Sequence, residues 1–189
     1  MNILNKTTQF VHYILKSYIS NNSIAVDCTV GNGNDTLFLA KNCQYVFGFD
    51  IQKRAIETTD YLLKQNGCNN YELYLDSHSQ IDKYIKQKVD IIVFNLGYLP
   101  KADKSITTNY DTTIKALESC LNLMSDNGVI AITIYYGHQQ GKMEREALLK
   151  YLDQIDQKKY MVRYISTLNS DKCPPEVVFI TQKGKQIII

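Results

Sequence analysis

The chain has 189 residues, 44% of them hydrophobic, with 21 Lys+Arg against 19 Asp+Glu for a formal net charge of +2. That length suits one two-sided core, so a single domain over 1–189 is expected, and so even a charge excludes a basic nucleic-acid tail. Five cysteines (Cys28, Cys43, Cys68, Cys120, Cys173), odd in number and without a C-x-x-C pair, exclude a disulfide framework and a zinc knuckle.

In chain order, a helix is predicted over 8–19, with Phe10, Tyr13 and Tyr18 on its packing face. A β-rich run follows at 23–28, helical spacing at 35–41, a strand at 45–50, a helix at 53–66 and a strand at 71–76. Helical spacing resumes at 80–86, then a strand at 89–95, a helix at 108–123, a strand at 128–135 and a helix at 142–155, where Ala147, Tyr151 and Ile155 share a stripe. Two further β-rich runs, 161–168 and 177–180, are separated by a segment too short for a helical crossover, so the last strand is predicted antiparallel. The alternation implies an α/β fold: a mostly parallel seven-stranded sheet with helices on both faces. The first ten residues are polar where a secretory signal is apolar, and no later run spans a bilayer. A cytoplasmic protein with reduced thiols and no membrane contact is expected.

Chemistry is concentrated at the predicted strand ends. The first strand runs through Asp27 into Gly31-Asn32-Gly33-Asn34-Asp35-Thr36. Glycines there let the backbone approach a ligand, and the following helix turns free N–H groups toward it. A dinucleotide loop would place a third glycine where Thr36 stands, which weighs against NAD. Asp50 closes the second strand at the same edge, where its carboxylate can accept both hydroxyls of a ribose. Asp76, Ser77 and His78 follow the third strand at a height suited to adenine. Any one of these is common as a turn or cap; their order along the chain points to a nucleoside-type cofactor.

Asp27-x-x-x-Gly31-x-Gly33, Asp50 and Asp76 at successive strand ends resemble the cofactor motifs of class I methyltransferases that use S-adenosylmethionine (SAM). The resemblance implies SAM as cofactor, a Rossmann-like sheet in the order 3-2-1-4-5-7-6, and ribose and adenine contacts at Asp50 and at Asp76, Ser77 and His78. The run Asn95-Leu96-Gly97-Tyr98-Leu99-Pro100 sits where amino-directed methyltransferases carry Asn/Asp-Pro-Pro-Tyr/Phe. In that motif the first side chain accepts a hydrogen bond from the target amine and the aromatic ring packs on the base. Leu96 and Gly97 replace the two prolines here.

A closer likeness covers nearly the whole chain. The segments 31–36, 48–52 (with Ile51 and Gln52 after Asp50), 95–100 and 136–144 are similar to a small bacterial family labelled putative rRNA methylases. That resemblance implies methylation of the 5-aminomethyl group on the wobble uridine of tRNA, with the anticodon stem-loop as partner; rRNA is the rival substrate. The catalytic set it implies is Asn95, Tyr98 and His138. Gly97, Leu99, Pro100, Lys101, Asp103, Tyr136, Gly137 and Lys142 are expected on the substrate side, with no metal and a homodimer. Two other readings remain: a SAM enzyme acting on a small amine, and a non-enzymatic RNA-binding Rossmann protein. His12 receives no assignment.

Overall fold

The computed structural model describes residues 6–97, 110–137, 139–170 and 172–184. Among them the chain forms six helices: α1 (Thr7–Leu15), α2 (Asn34–Asn42), α3 (Lys53–Gln65), α4 (Ile81–Tyr84), α5 (Tyr110–Leu123) and α6 (Gln139–Asp153). Interleaved with these are β1 (Ile24–Asp27), β2 (Tyr45–Asp50), β3 (Tyr71–Leu75), β4 (Val89–Leu96), β5 (Met124–Ile134), β6 (Tyr160–Ile165) and β7 (Glu176–Gln182). The strands join in one sheet of order β3-β2-β1-β4-β5-β7-β6. β7 runs antiparallel to both of its neighbours, and the other pairings are parallel. This is the predicted α/β architecture.

Strand periodicity builds the two faces. In β4, Ile92, Phe94 and Leu96 enter one cluster while Ile91 and Val93 enter the other; in β5, Ile130, Ile132 and Ile134 oppose Val129 and Ala131. The first face is closed by Ala116, Leu117 and Cys120 of α5 with Leu148 and Leu152 of α6. The second is closed by Val11 and Leu15 of α1, Leu39 and Ala40 of α2 and Leu63 of α3. No helix of the described residues is long and apolar enough to cross a membrane.

Several boundaries moved for physical reasons. α1 ends at Leu15, four residues early, because Ser17 and Tyr18 donate their N–H groups three residues back and tighten the chain into a turn. Tyr13 is 60% exposed, since the buried stripe of α1 runs through Val11 and Leu15 and a residue at 13 points elsewhere at 100° per residue. β5 starts at Met124, where the polar run 125–127 hides a strand that pairs with Val89 across an irregular register. The stretch predicted as a helix over 80–86 divides into a 3-10 turn at His78–Gln80 and the single turn of α4. On α6 the stripe centres on Leu148 and Leu152, with Tyr151 and Ile155 at its flank. β6 stops at Ile165, and Leu168, predicted within it, is 98% exposed.

Gly48 in the middle of β2 is a packing requirement. A Cβ there would stand 2.6 Å from Leu73 of β3 and 2.7 Å from Val30 at the start of the glycine loop. Gly48→Ala is expected to lower stability by about 1–3 kcal/mol, the scale of an overpacked core methyl. Chemical denaturation of the two proteins checks this; equal midpoints would show that Leu73 and Val30 move aside at no cost.

Candidate active site

The loop after β1 is shaped by hydrogen bonds that leave little freedom. Asp27 is fully buried; its Oδ2 accepts from Thr36 Oγ1 at 2.7 Å and its Oδ1 from the Thr29 N–H at 3.1 Å. Gly31 and Gly33 take left-handed φ values of 55° and 79°. Gly33 caps α2, and a Cβ on it would lie 2.6 Å from Thr59 Oγ1 of α3. Gly33 is therefore fixed by its backbone angle and by Thr59, a reason the sequence reading did not contain. Thr59 also donates to the Gly31 carbonyl at 3.3 Å.

Asp50, at the end of β2, reaches back to the same loop. Its Oδ2 accepts the Gly31 N–H and its Oδ1 the Gln52 N–H, each at 2.9 Å. Burial pushes its carboxyl above the usual range despite these bonds. Ile51 beside it is 60% exposed, an apolar side chain left in solvent at the sheet edge. Past β3, Asp76 accepts from Tyr84 Oη and from the Ser77 N–H, both at 2.7 Å, and these bonds hold its carboxyl below the usual range. The Ser77 hydroxyl is tied to Ser79 Oγ at 2.9 Å. His78 is turned inward: its Nδ1 pairs with the Cys28 carbonyl at 2.9 Å, and burial lowers its pKa, favouring the neutral ring. With Nδ1 as the donor, Nε2 is an acceptor, and this buried atom has no partner among the described residues.

The end of β4 carries Asn95. Its backbone N–H donates to Thr29 Oγ1 at 2.6 Å and its side-chain Nδ2 to Asp35 Oδ2 at 2.7 Å. Asp35 lies in the first turn of α2, and its other oxygen, Oδ1, is bonded to His12 Nε2 of α1. The loop after β1, the first turn of α2, α1 and the end of β4 thus converge on one point. Beside it a cleft of about 530 Å³ is lined by Lys6, Thr7, Gln9, His12, Asn34 and Tyr135, among others.

The fold brings Asp27, Gly31, Gly33, Asn34, Asp35, Thr36, Asp50, Gln52 and Asn95 to one edge, as their strand ends imply. Gly97 follows β4 and packs at Tyr135, to whose Cβ a Cβ of its own would come within 3.0 Å. Tyr136 lies under the Arg145 guanidinium, 5.0 Å from ring centroid to Cζ, and Lys142 is exposed on α6. A Cβ on Gly137 would meet no atom of the described residues within 4 Å. Tyr98, Leu99, Pro100, Lys101, Asp103 and His138 lie outside the described residues. Sequence reasoning missed Thr29, Thr59 and His12. Nothing local marks His12: it bonds a carboxylate 23 positions away, a pairing that only packing of α1 on α2 creates.

Electrostatically the edge is acidic. Burial, then the charges of Asp35 and Asp50, push the Asp27 carboxyl up to about 7, against the lowering bonds from Thr36 and Thr29. No group of three or more His, Cys, Asp or Glu among the described residues is arranged to hold a metal ion.

The family described as "Putative rRNA methylase" matches residues 46–181. A solved putative rRNA-methylase from Clostridium thermocellum is 40% identical, with a TM-score of 0.91 over 96% of this chain and 98% of that one. A putative methyltransferase from Streptococcus mutans, solved in complex with S-adenosylhomocysteine (SAH), is 37% identical, with a TM-score of 0.88 over 94% and 98% of the two chains. A chloroplastic tRNA (mnm(5)s(2)U34)-methyltransferase of Arabidopsis thaliana is 36% identical over 157 residues, 76% of this chain; the chain spans 57% of that relative's length.

The raised pKa of Asp27 has a signed consequence for stability. Its folded value of about 7 exceeds the ordinary 3.8, so the fold binds the proton more tightly than the unfolded chain. The associated stability is complete below the unfolded pKa and is lost as pH rises toward 7. Urea denaturation of the ligand-free protein at pH 5 and pH 8 is expected to show a larger loss for wild type than for Asp27→Asn; equal losses would place the Asp27 ionisation outside the folding equilibrium.

Proposed function

Since the chain belongs to this rRNA methylase family, we propose that it methylates the amino nitrogen of a 5-aminomethyl group on the wobble uridine of tRNA, giving the 5-methylaminomethyl form. The chain is a SAM-dependent methyltransferase; the nucleotide is the proposed step. The observation that carries it is Asn95. Its N–H and its NH₂ both donate within the protein, to Thr29 and Asp35, which leaves Oδ1 as the acceptor that a target amine requires. The Arabidopsis relative supports tRNA as the substrate, whereas the family's description favours rRNA, the second reading.

The residues present fit SAM. The charges acting on buried Asp27 include those of two further carboxylates, Asp35 and Asp50, a repulsion that a ligand with sulfonium and ammonium cations relieves. Each Asp50 oxygen takes one backbone N–H and keeps a lone pair for a ribose hydroxyl. Exposed Ile51 offers apolar surface to a purine, with Asp76 and Ser77 beyond β3 on the adenine side, while His78 turns inward to the Cys28 carbonyl. Asn32, Gly33 and Asn34, leading into α2, and Thr36, which holds Asp27, complete the cradle.

When bound, SAM supplies a methyl group on positively charged sulfur, an electrophilic carbon. Asn95 Oδ1 accepts an N–H of the neutral amine and so aims its lone pair. Positioning of this kind is worth on the order of 7–11 kcal/mol, and a neutral amine needs no strong base. Tyr98, Leu99 and Pro100, which follow Gly97 in the sequence, are on this reading the residues that hold the extruded base. The family resemblance assigns Lys101, Asp103, Tyr136, Gly137, His138 and Lys142 to the substrate side, and on this reading they contact the anticodon backbone.

Two measurements test this. Mass spectrometry of tRNA nucleosides from cells lacking the protein is expected to show accumulated 5-aminomethyl-2-thiouridine, converted to the methylated form by purified protein and SAM; an unchanged profile would transfer the reading to rRNA. Asn95→Ala is expected to lower kcat about 10²-fold, the scale for one preorganised hydrogen bond at a reacting centre, while SAH binding measured by calorimetry stays close to wild type. Full turnover by the variant would remove Asn95 from the mechanism.

A further inference from the structure

His12 is absent from the roles described so far, yet it sits at the end of a hydrogen-bonded chain that terminates at the reacting group. Its Nε2 is bonded to Asp35 Oδ1, and its ring lies flat on Phe38, with centroids 3.9 Å apart and planes 6° from parallel. Asp35 Oδ2 takes the Asn95 amide at 2.7 Å. The three residues come from α1, α2 and β4, and the two links span 23 and 60 positions of sequence. His12 and Asp35 are both largely withdrawn from solvent, with side chains 20% and 16% exposed, and His12 also lines the cleft between α1 and Tyr135.

The chemistry of an amide gives this chain its meaning. A half-turn of the Asn95 side-chain amide exchanges an acceptor for a donor of nearly the same shape. A nucleophilic amine must offer an N–H to the protein and keep its lone pair for the methyl carbon. An Asn95 turned the other way would present N–H to that lone pair and occupy it. An ionised Asp35 is an acceptor only, so its Oδ2 selects the orientation with Nδ2 inward and Oδ1 toward the substrate. Asp35 itself stands in the first turn of a helix, where a carboxylate readily turns back to the free backbone N–H groups. A donor on its second oxygen holds it outward, and His12, clamped against Phe38, is that donor.

We propose that His12 is a positioning residue for methyl transfer, acting through Asp35 to fix the Asn95 amide with its oxygen toward the target amine. This rests on the reading that Asn95 receives the amine. It predicts that losing the His12 donor weakens the chemical step and leaves cofactor and tRNA binding intact.

The test pairs two substitutions. His12→Phe keeps an aromatic ring on Phe38 and deletes the donor; His12→Gln keeps an amide donor and deletes the ring. With tRNA carrying the 5-aminomethyl group, His12→Phe is expected to lower kcat about tenfold, the scale of one ordinary hydrogen bond, with KM for tRNA and Kd for SAH within about twofold of wild type. His12→Gln is expected to restore most of kcat, and His12→Phe added to Asn95→Ala should cost nothing more, because both act through one chain. In ¹⁵N-labelled protein without substrate, the Asn95 side-chain NH₂ resonances should shift in His12→Phe and return in His12→Gln. Unchanged kcat in His12→Phe overturns the proposal, as does an additive loss in the double variant. A fall in SAH affinity or thermal stability that accompanies the kcat loss and that His12→Gln leaves uncorrected also overturns it, since it makes the residue structural. If wild type transfers no methyl to tRNA, the substrate reading fails, and the Asn95 resonances still decide the alignment.

Discussion

One carboxylate sets the shape of the whole edge. Asp50 grips the Gly31 N–H with one oxygen and the Gln52 N–H with the other, so the turn after β1 and the turn after β2 are stapled together by a single side chain. Bonds from backbone N–H to a charged acceptor are among the stronger ones, and here they lie partly out of water. The turn they secure starts α2 through Gly33, and α2 in turn carries Asp35 and Thr36. Thr36 reaches back to Asp27, so the loop is closed from both ends. Thr59 fills the space beside Gly33 and ties α3 to the same turn.

The cost of this construction is charge. Three carboxylates converge on a partly buried edge, and the most buried of them, Asp27, is driven up to about 7. A protein built for stability alone would neutralise such a group with an arginine or replace it. Retaining it makes sense where a cationic ligand arrives to share the site, and on the proposed fit SAM brings a sulfonium and an ammonium cation, with one carboxylate, to this edge. Asp35 also takes the Asn95 amide, and on the proposed mechanism this bond aligns Asn95 for the target amine. On that reading one cluster links cofactor recognition to the geometry of the acceptor.

Much of this was legible in advance. Val89 to Asn95 and Gly128 to Tyr135 read as buried strands because continuous β-branched and aromatic runs have few other uses in a chain of this kind. The short segment after β6 left no room for a crossover, which fixed the direction of β7. Asp27, Asp50 and Asn95 stood out because each ends a strand, and strand ends of a doubly wound sheet share one edge. Where local signals were weak, at the polar start of β5 and the single-turn α4, boundaries moved.

The sequence by itself determined the alternation of strands and helices, the edge at which chemistry gathers and the acidic, glycine-bearing character of the loop there. These follow from periodicity and residue type, which are local. Only the tertiary structure decided that Gly33 is held by Thr59, that His78 turns inward to the Cys28 carbonyl, and that His12 meets Asp35 and through it Asn95. Each of these joins residues far apart in the chain, and such a contact exists only once helices have packed on both faces of the sheet.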